Sequence, residues 1–159
     1  MRRKDREITD FGKIIDIIRH CDCCRLGLVD AGEAYIVPMN FGWEAIDDRI
    51  ILYFHCAGEG RKLTLLHRQS SVSFEMDTGH ALVRGETACS YSYLYQSVMG
   101  TGQISILTDP DEKRRALQRI IGHYAEDAPL EMHAQVLEKT IVLRLCVDTL
   151  SCKAHEMAR

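Results

Sequence analysis

Arg25-Leu26-Gly27-Leu28-Val29-Asp30-Ala31-Gly32-Glu33-Ala34-Tyr35-Ile36-Val37-Pro38-Met39 holds two short apolar runs, Arg25–Val29 and Ala34–Met39. Between them, Asp30-Ala31-Gly32-Glu33 has turn composition, so the stretch reads as a β-hairpin. Further on, Phe41–Ile46 leads to Asp47-Asp48, and Ile50-Ile51-Leu52-Tyr53-Phe54-His55 is rich in β-formers. Ala34–Ile46 and Ile50–His55 therefore read as a second strand pair, the first strand interrupted near Pro38. A proline inside an apolar run lacks the ladder N–H and implies a strand edge or a bulge.

Working outward, Asp10 is a candidate N-cap for a helix with Phe11, Ile14, Ile15 and Ile18 on one face, ending near His20. Gly58-Glu59-Gly60 breaks the strand pattern, and Arg61–Arg68 reads as a short helix with Leu63, Leu65 and Leu66 to pack. Val72–Met76 is a strand and Ala81–Arg84 a weaker one. Cys89–Tyr95 is polar and aromatic and takes no clear assignment. Gln96–Leu107 reads as a long strand bent at Gly100 and Gly102. Asp109-Pro110-Asp111-Glu112 starts a helix: Asp109 as N-cap, Pro110 at the first helical position, Glu112 closing a capping box. Leu117, Ile120, Ile121 and Tyr124 supply its buried stripe. Thr140–Val147 is a last strand with Ile141, Leu143 and Leu145 alternating. Six or seven strands joined mostly by tight turns, without a βαβ rhythm, predict a mainly β chain: an antiparallel barrel with peripheral helices. Residues 1–159 read as one domain with a core over about 10–150.

Lys and Arg number 20 against 23 Asp and Glu, a formal charge of −3, which gives no electrostatic reason to expect nucleic acid. No window approaches the roughly 18 apolar residues of a membrane span. No signal-peptide apolar stretch follows the charged start, so the expected location is the cytoplasm. The seven cysteines, an odd number, are expected to be reduced thiols, several of them buried.

The chemistry concentrates in Tyr53-Phe54-His55-Cys56-Ala57-Gly58-Glu59-Gly60-Arg61-Lys62. A strand end, a glycine turn and two cations at a helix start suit an anion such as phosphate. The Gly-Lys ending of a P-loop is absent. The alternative is a solvated helix start, where cations are common. In Tyr35-Ile36-Val37-Pro38-Met39-Asn40-Phe41-Gly42, freed backbone groups and the Asn40 amide suit a flat heteroaromatic ligand, with a bulged core strand as the alternative. His55, after a strand and before the cation pair, is a candidate for proton transfer, or is a hydrogen-bonded wall residue. Cys21-Asp22-Cys23-Cys24 lacks a second ligand pair at zinc spacing; it reads as packed thiols, with Cys24 inside, and no metal site is assigned. Tyr91, Tyr93 and Tyr95 alternate at strand period and serve either to stack on a ring or to pack at an interface.

These segments resemble one family in combination. Cys24-Arg25-Leu26-Gly27-Leu28, Tyr35 through Gly42, Leu52-Tyr53-Phe54-His55, Glu59-Gly60-Arg61-Lys62 and Ser97-Val98-Met99-Gly100-Thr101-Gly102 together look like the pyridoxamine-phosphate-oxidase-like flavin proteins. Within these the chain is most similar to the nitroimidazole-resistance (Nim) branch. The resemblance spans roughly residues 5 to 153. It implies an antiparallel, Greek-key FMN-binding split barrel that dimerises with itself and holds FMN at the subunit interface. Arg61 and Lys62, after Gly60, would hold the FMN phosphate. Pro38, Met39, Asn40 and Phe41 would line the isoalloxazine edge, largely through backbone. Tyr53, Phe54 and His55 would border the flavin and substrate pocket, with His55 the catalytic candidate. Ser97 and Tyr95 would approach from the later strand, from the same subunit or its partner. The implied activity is reduction of a small acceptor, such as a nitroaromatic or nitroimidazole compound, with NAD(P)H-derived electrons. The alternatives are a non-catalytic flavin- or haem-binding module of the same fold and a cofactor-free structural dimer. The Nim pattern often carries a Trp before the Ser97 strand; here that segment has none, and the single Trp is Trp43.

Overall fold

The computed structural model describes residues 3–125, 127–129 and 131–156. Strand β1 is Glu7–Ile8; helix α1 is Phe11–His20; β2 is Cys24–Asp30, β3 Glu33–Met39, β4 Phe41–Ile46 and β5 Arg49–Cys56. Helix α2 (Arg61–Leu66) leads to β6 (Ser71–Val83) and β7 (Ser92–Leu107). Helices α3 (Pro110–Tyr124) and α4 (Ala134–Lys139) precede the last strand, β8 (Ile141–His155). All pairings are antiparallel, in the order β3-β2-β6-β7-β8-β5-β4, with β1 added to β8. β6, β7 and β8 form a meander, and β5 lies beside β8 after a long connection to β6. That is the Greek-key arrangement. The two ends of the sheet, β3 and β4, are consecutive in the chain, so the curled sheet is split there.

Local chemistry explains most elements. Asp10 caps α1 by accepting from the Lys13 N–H at 2.8 Å. Ile14, Ile17 and Ile18 are its buried face. The β2–β3 and β4–β5 hairpins have two-residue loops, Ala31-Gly32 and Asp47-Asp48, and all four residues have positive φ. This is the twist that tight antiparallel hairpins require. Asp109 caps α3 by accepting from the N–H groups of Asp111 and Glu112, at 3.0 and 2.8 Å.

Several expectations are corrected. Ala34–Ile46 is not one interrupted strand: the ladder breaks at Asn40, and β3 and β4 occupy opposite ends of the sheet order. Pro38 does lie on an end strand, where its missing N–H leaves no ladder bond unmade. Val72–Met76 and Ala81–Arg84 belong to one strand, β6, whose register shifts between Thr78 and Ala81. The last strand continues to His155, because β7 carries the pairing across a register shift at Thr101/Gly102. Helix α2 ends at Leu66, short of Arg68. The Glu112 carboxylate lies 3.5 Å from Arg144 instead of closing a capping box. Tyr124 is 43% exposed and does not belong to a buried stripe; Ala116 and Ile120 carry that role.

The main core fills the barrel, with Leu26, Phe41, Leu52, Phe54, Met76, Val98, Leu143 and Leu145 essentially without solvent contact. Each such side chain contributes roughly 1.5–3 kcal/mol. A second cluster lies outside the barrel, under α3: Tyr53, Leu107, Ala116, Ile120 and Val142. Helix α3 seats on β4 at Gly42, where a Cβ would meet the Arg119–Ile120 backbone at 2.4 Å. No helix among the described residues is long and apolar enough to cross a membrane.

Candidate functional site

Gly60, with φ of 124°, turns the chain from the β5 exit into α2. Such an angle suits a residue without a Cβ. The next two residues project cations in different settings. Arg61 is exposed; it donates from Nε to Asp30 Oδ2 at 2.7 Å and lies over the Tyr35 ring at 4.5 Å. The Tyr35 face and the Asp30 carboxylate thus preset its guanidinium. Lys62 is half-buried, and its Nζ lies 3.0 Å from Met39 Sδ. Among the described residues no carboxylate lies within ion-pair distance of it. A thioether is a weak acceptor, so this ammonium retains capacity for an anion.

The Met39 contact sets Lys62 beside the β3–β4 break, where Pro38 and Asn40 are exposed. A latch holds that break. The Phe41 N–H donates to Tyr124 Oη at 3.1 Å, and the same hydroxyl donates to Asp22 O at 2.8 Å. The His123 ring packs on Phe41, centroids 4.4 Å apart, and meets Cys21 O at 2.7 Å through Nε2. Burial pulls the His123 pKa below its usual value, opposed by that backbone hydrogen bond and by the nearby Asp22. A neutral His123 therefore donates Nε2–H to the carbonyl. Sequence reading left His123 among surface histidines; its spacing from Tyr124 carries no signal of the contact, which joins segments 102 residues apart.

Of the remaining expected site residues, His55 is exposed at the end of β5, next to Cys56. Phe41 and Phe54 point into the core and could offer a ligand only backbone. Tyr53 turns under α3 and donates to Glu44 Oε1 at 2.5 Å. Tyr95 and Ser97 lie on β7, opposite His155 and Lys153 of β8. Strands β2 and β6 separate them from β3, on the order of 14 Å of sheet at the usual strand spacing. One subunit does not bring them together with Lys62 along the sheet.

Cys21 and Cys24 are buried, and Cys21 Sγ donates to Ile17 O. Burial pushes the Cys21 thiol up to about 12 and Cys24 higher still. These are protonated packing groups; a metal ligand would have to be a thiolate. Among the described residues no three His, Cys, Asp or Glu side chains gather as a metal set.

An antiparallel Greek-key sheet split between β3 and β4, with paired cations beside the split, defines a split barrel. The chain belongs to the pyridoxamine 5'-phosphate oxidase family, whose model matches residues 11–154. A solved structure from Bacteroides thetaiotaomicron, described as a candidate 5-nitroimidazole antibiotic resistance protein, is 35% identical. The alignment covers 94% of this chain and 90% of that one, with a TM-score of 0.81. The flavocytochrome Anf3 from Azotobacter vinelandii is 22% identical over 98% of this chain and 72% of its own, TM-score 0.78. An FAD and heme binding protein from Mycobacterium smegmatis is 18% identical over 95% and 74%, TM-score 0.79. These two share the fold. No curated protein matches the chain.

Proposed function

We propose that this protein is a cytoplasmic FMN-binding homodimer that reduces a small acceptor, such as a nitroaromatic or nitroimidazole compound, with NAD(P)H-derived electrons. The half-buried Lys62 ammonium, with no carboxylate at ion-pair distance among the described residues, beside the exposed Arg61 carries the reading. An exposed ion pair such as Arg61–Asp30 is worth about 0–1 kcal/mol. A phosphate dianion can therefore share or replace that carboxylate. The residues fit the anionic end of FMN: Arg61 and Lys62 would hold the phosphate, and the backbone at Pro38–Phe41 would meet the ring edge. Bound flavin supplies the electron carrier. His55, exposed beside this corner, would hold or deliver a proton.

The dimer reading draws on the outer sheet face. Ile36 is 64% and Met99 39% exposed there, around a cleft of about 680 Å³ floored by Gly27, Ser73 and Gly100. Exposed large apolar side chains over small ones suit burial against another subunit. Ser97 alternates in phase with Met99 and so faces the same way. A second copy on this face would present its own Ser97 and Tyr95 to the first, which is how residues two strands removed could complete a site. The 35% identical structure described as a nitroimidazole-resistance protein supports the acceptor class.

The second reading is a module that binds flavin or haem without turnover; the two less similar structures are a flavocytochrome and an FAD and heme binding protein. The absorption spectrum of the purified protein, before and after adding FMN and desalting, tests the first. Flavin bands that survive desalting support it, and turnover with NAD(P)H and a nitro acceptor separates it from the second. A folded protein that retains no flavin would overturn it, and haem would be tried next.

A further inference from the structure

Between α3 and the outer face of β4, β5 and β8 lies a cleft of about 630 Å³. This volume is in the range of small-molecule sites. Its walls carry Arg115, Arg119 and Arg144 against two carboxylates, Glu44 and Glu112, which leaves one positive charge in excess. The pairing inside the cleft is incomplete. Glu44 is engaged at both oxygens: Oε1 accepts from Tyr53 at 2.5 Å, and Oε2 forms an ion pair with Arg119 at 3.2 Å. Glu112 reaches Arg144 only at 3.5 Å. Arg115 has no carboxylate within ion-pair distance among the described residues, although Arg119, one turn on, does.

The sharpest observation is Arg144. Among the described residues its Nε is shielded from solvent and has no hydrogen-bond partner, while 37% of the side chain stays exposed where it lines the cleft. A guanidinium stays charged in any protein setting, and a buried N–H of a charged group is costly to leave unmet. Arg144 stands near the start of β8, paired on both sides, opposite Tyr53 of β5 and Ser105 of β7, so the sheet holds its backbone in place. Tyr53 donates its hydroxyl hydrogen to Glu44, and among the described residues neither it nor any other group accepts from Arg144 Nε. Ile46, Ile51 and Leu107 add an apolar stretch of wall, with Gln118 polar on the α3 side.

We propose that this cleft binds a small organic carboxylate, its anionic head on Arg144 and Arg115 and its apolar body against Ile51 and Leu107. A planar carboxylate matches the guanidinium fork, and a single negative charge cancels the single excess charge. The apolar walls favour an acid with a hydrocarbon or aromatic body over a fully hydrated inorganic anion. The proposal does not use Arg61 or Lys62 and is independent of flavin binding.

The test is a titration of the full-length protein with 4-fluorobenzoate, followed by fluorine NMR, with 4-fluorobenzamide as the neutral isostere. The acid should bind in the millimolar range or tighter, and the amide about tenfold more weakly, the usual loss when a charge-assisted hydrogen bond is removed. Arg144→Gln should weaken the acid about tenfold and Arg115→Gln about threefold, while Arg61→Ala should leave it unchanged. If Arg144→Gln does not fold, Arg115→Gln, at an exposed position, decides the matter. Equal binding of acid and amide, no binding of the acid, unchanged affinity in Arg115→Gln, loss of binding in Arg61→Ala, or equal competition by inorganic phosphate would each overturn the proposal.

Discussion

Gly42→Ala is the most demanding test of the architecture. An added Cβ would lie 2.4 Å from both Arg119 C and Ile120 N and 2.6 Å from Arg119 O. Ordinary contacts begin near 3.4 Å, so α3 must retreat by about 1 Å or β4 must bend. All three obstructing atoms are backbone, and no rotamer change relieves them. Overpacking of this kind costs about 3 kcal/mol, the upper part of the usual range. With a urea slope of about 2 kcal/mol per molar, the midpoint should fall by about 1.5 M. Gly58→Ala is the matched control: its Cβ would meet nothing within 4 Å, and Gly58 has no positive φ. It should stay within about 0.5 kcal/mol of the parent. Both variants should be compared at one protein concentration, because association would shift the midpoint. A Gly42→Ala midpoint within 0.3 M of the control (about 0.6 kcal/mol) would refute the seating of α3 on β4.

Arg61→Ala and Lys62→Ala should each weaken FMN binding by about 10- to 100-fold, as for loss of a hydrogen bond between charged groups. Equilibrium dialysis reads this, and Arg61→Ala should cost no more than about 1 kcal/mol of stability without FMN. His55→Ala should retain FMN but lower the rate of acceptor reduction by about 10²-fold; normal turnover would make His55 a wall residue. Since burial lowers the His123 pKa in the folded state, the unfolded chain binds more protons as pH falls below about 6.5. The stability this residue allows is complete above that value and declines as pH drops toward the folded pKa. His123→Gln should flatten that part of a stability–pH profile; an unchanged slope would place the sensitivity elsewhere. Asp48→Gly should stabilise the protein by about 0.5–1 kcal/mol in thermal melts, since Asp48 has φ of 60° and the product loop is Asp-Gly.

The parts of the fold legible in the sequence were those set by neighbours in the chain. Asp10 and the isoleucines marked α1, Asp109-Pro110 marked the start of α3, and turn composition marked both hairpins. Pro38 signalled an end strand because its missing N–H is local chemistry. The continuity of β6 across Thr78–Ala81 and the later part of β8 escaped because their partners, not their own propensities, keep them extended: Asp148-Thr149 looks like a strand end until β7 is laid beside it. β1 and α4 are too short to show a period. At the site, the adjacent cations Arg61 and Lys62 were readable, whereas their different partners, Asp30 with Tyr35 and Met39, were not. The three-arginine cleft was invisible, because Glu44, Arg115 and Arg144 meet only after α3 docks on the sheet.

The Tyr124 latch has a consequence for the order in which this chain acquires its shape. It ties the end of α3 to Asp22 and Phe41, over separations of 102 and 83 residues. Contacts between such distant segments form late, after nearer pairings have reduced the entropic cost of closing the loop. The hairpins can therefore assemble while the corner at Asn40 is still unfixed. In the finished protein, fraying of the last turn of α3 would release that corner without unfolding the barrel. Amide exchange at Phe41 should then track the opening of α3 rather than global unfolding, and the Asn40 corner should soften on warming before the barrel does.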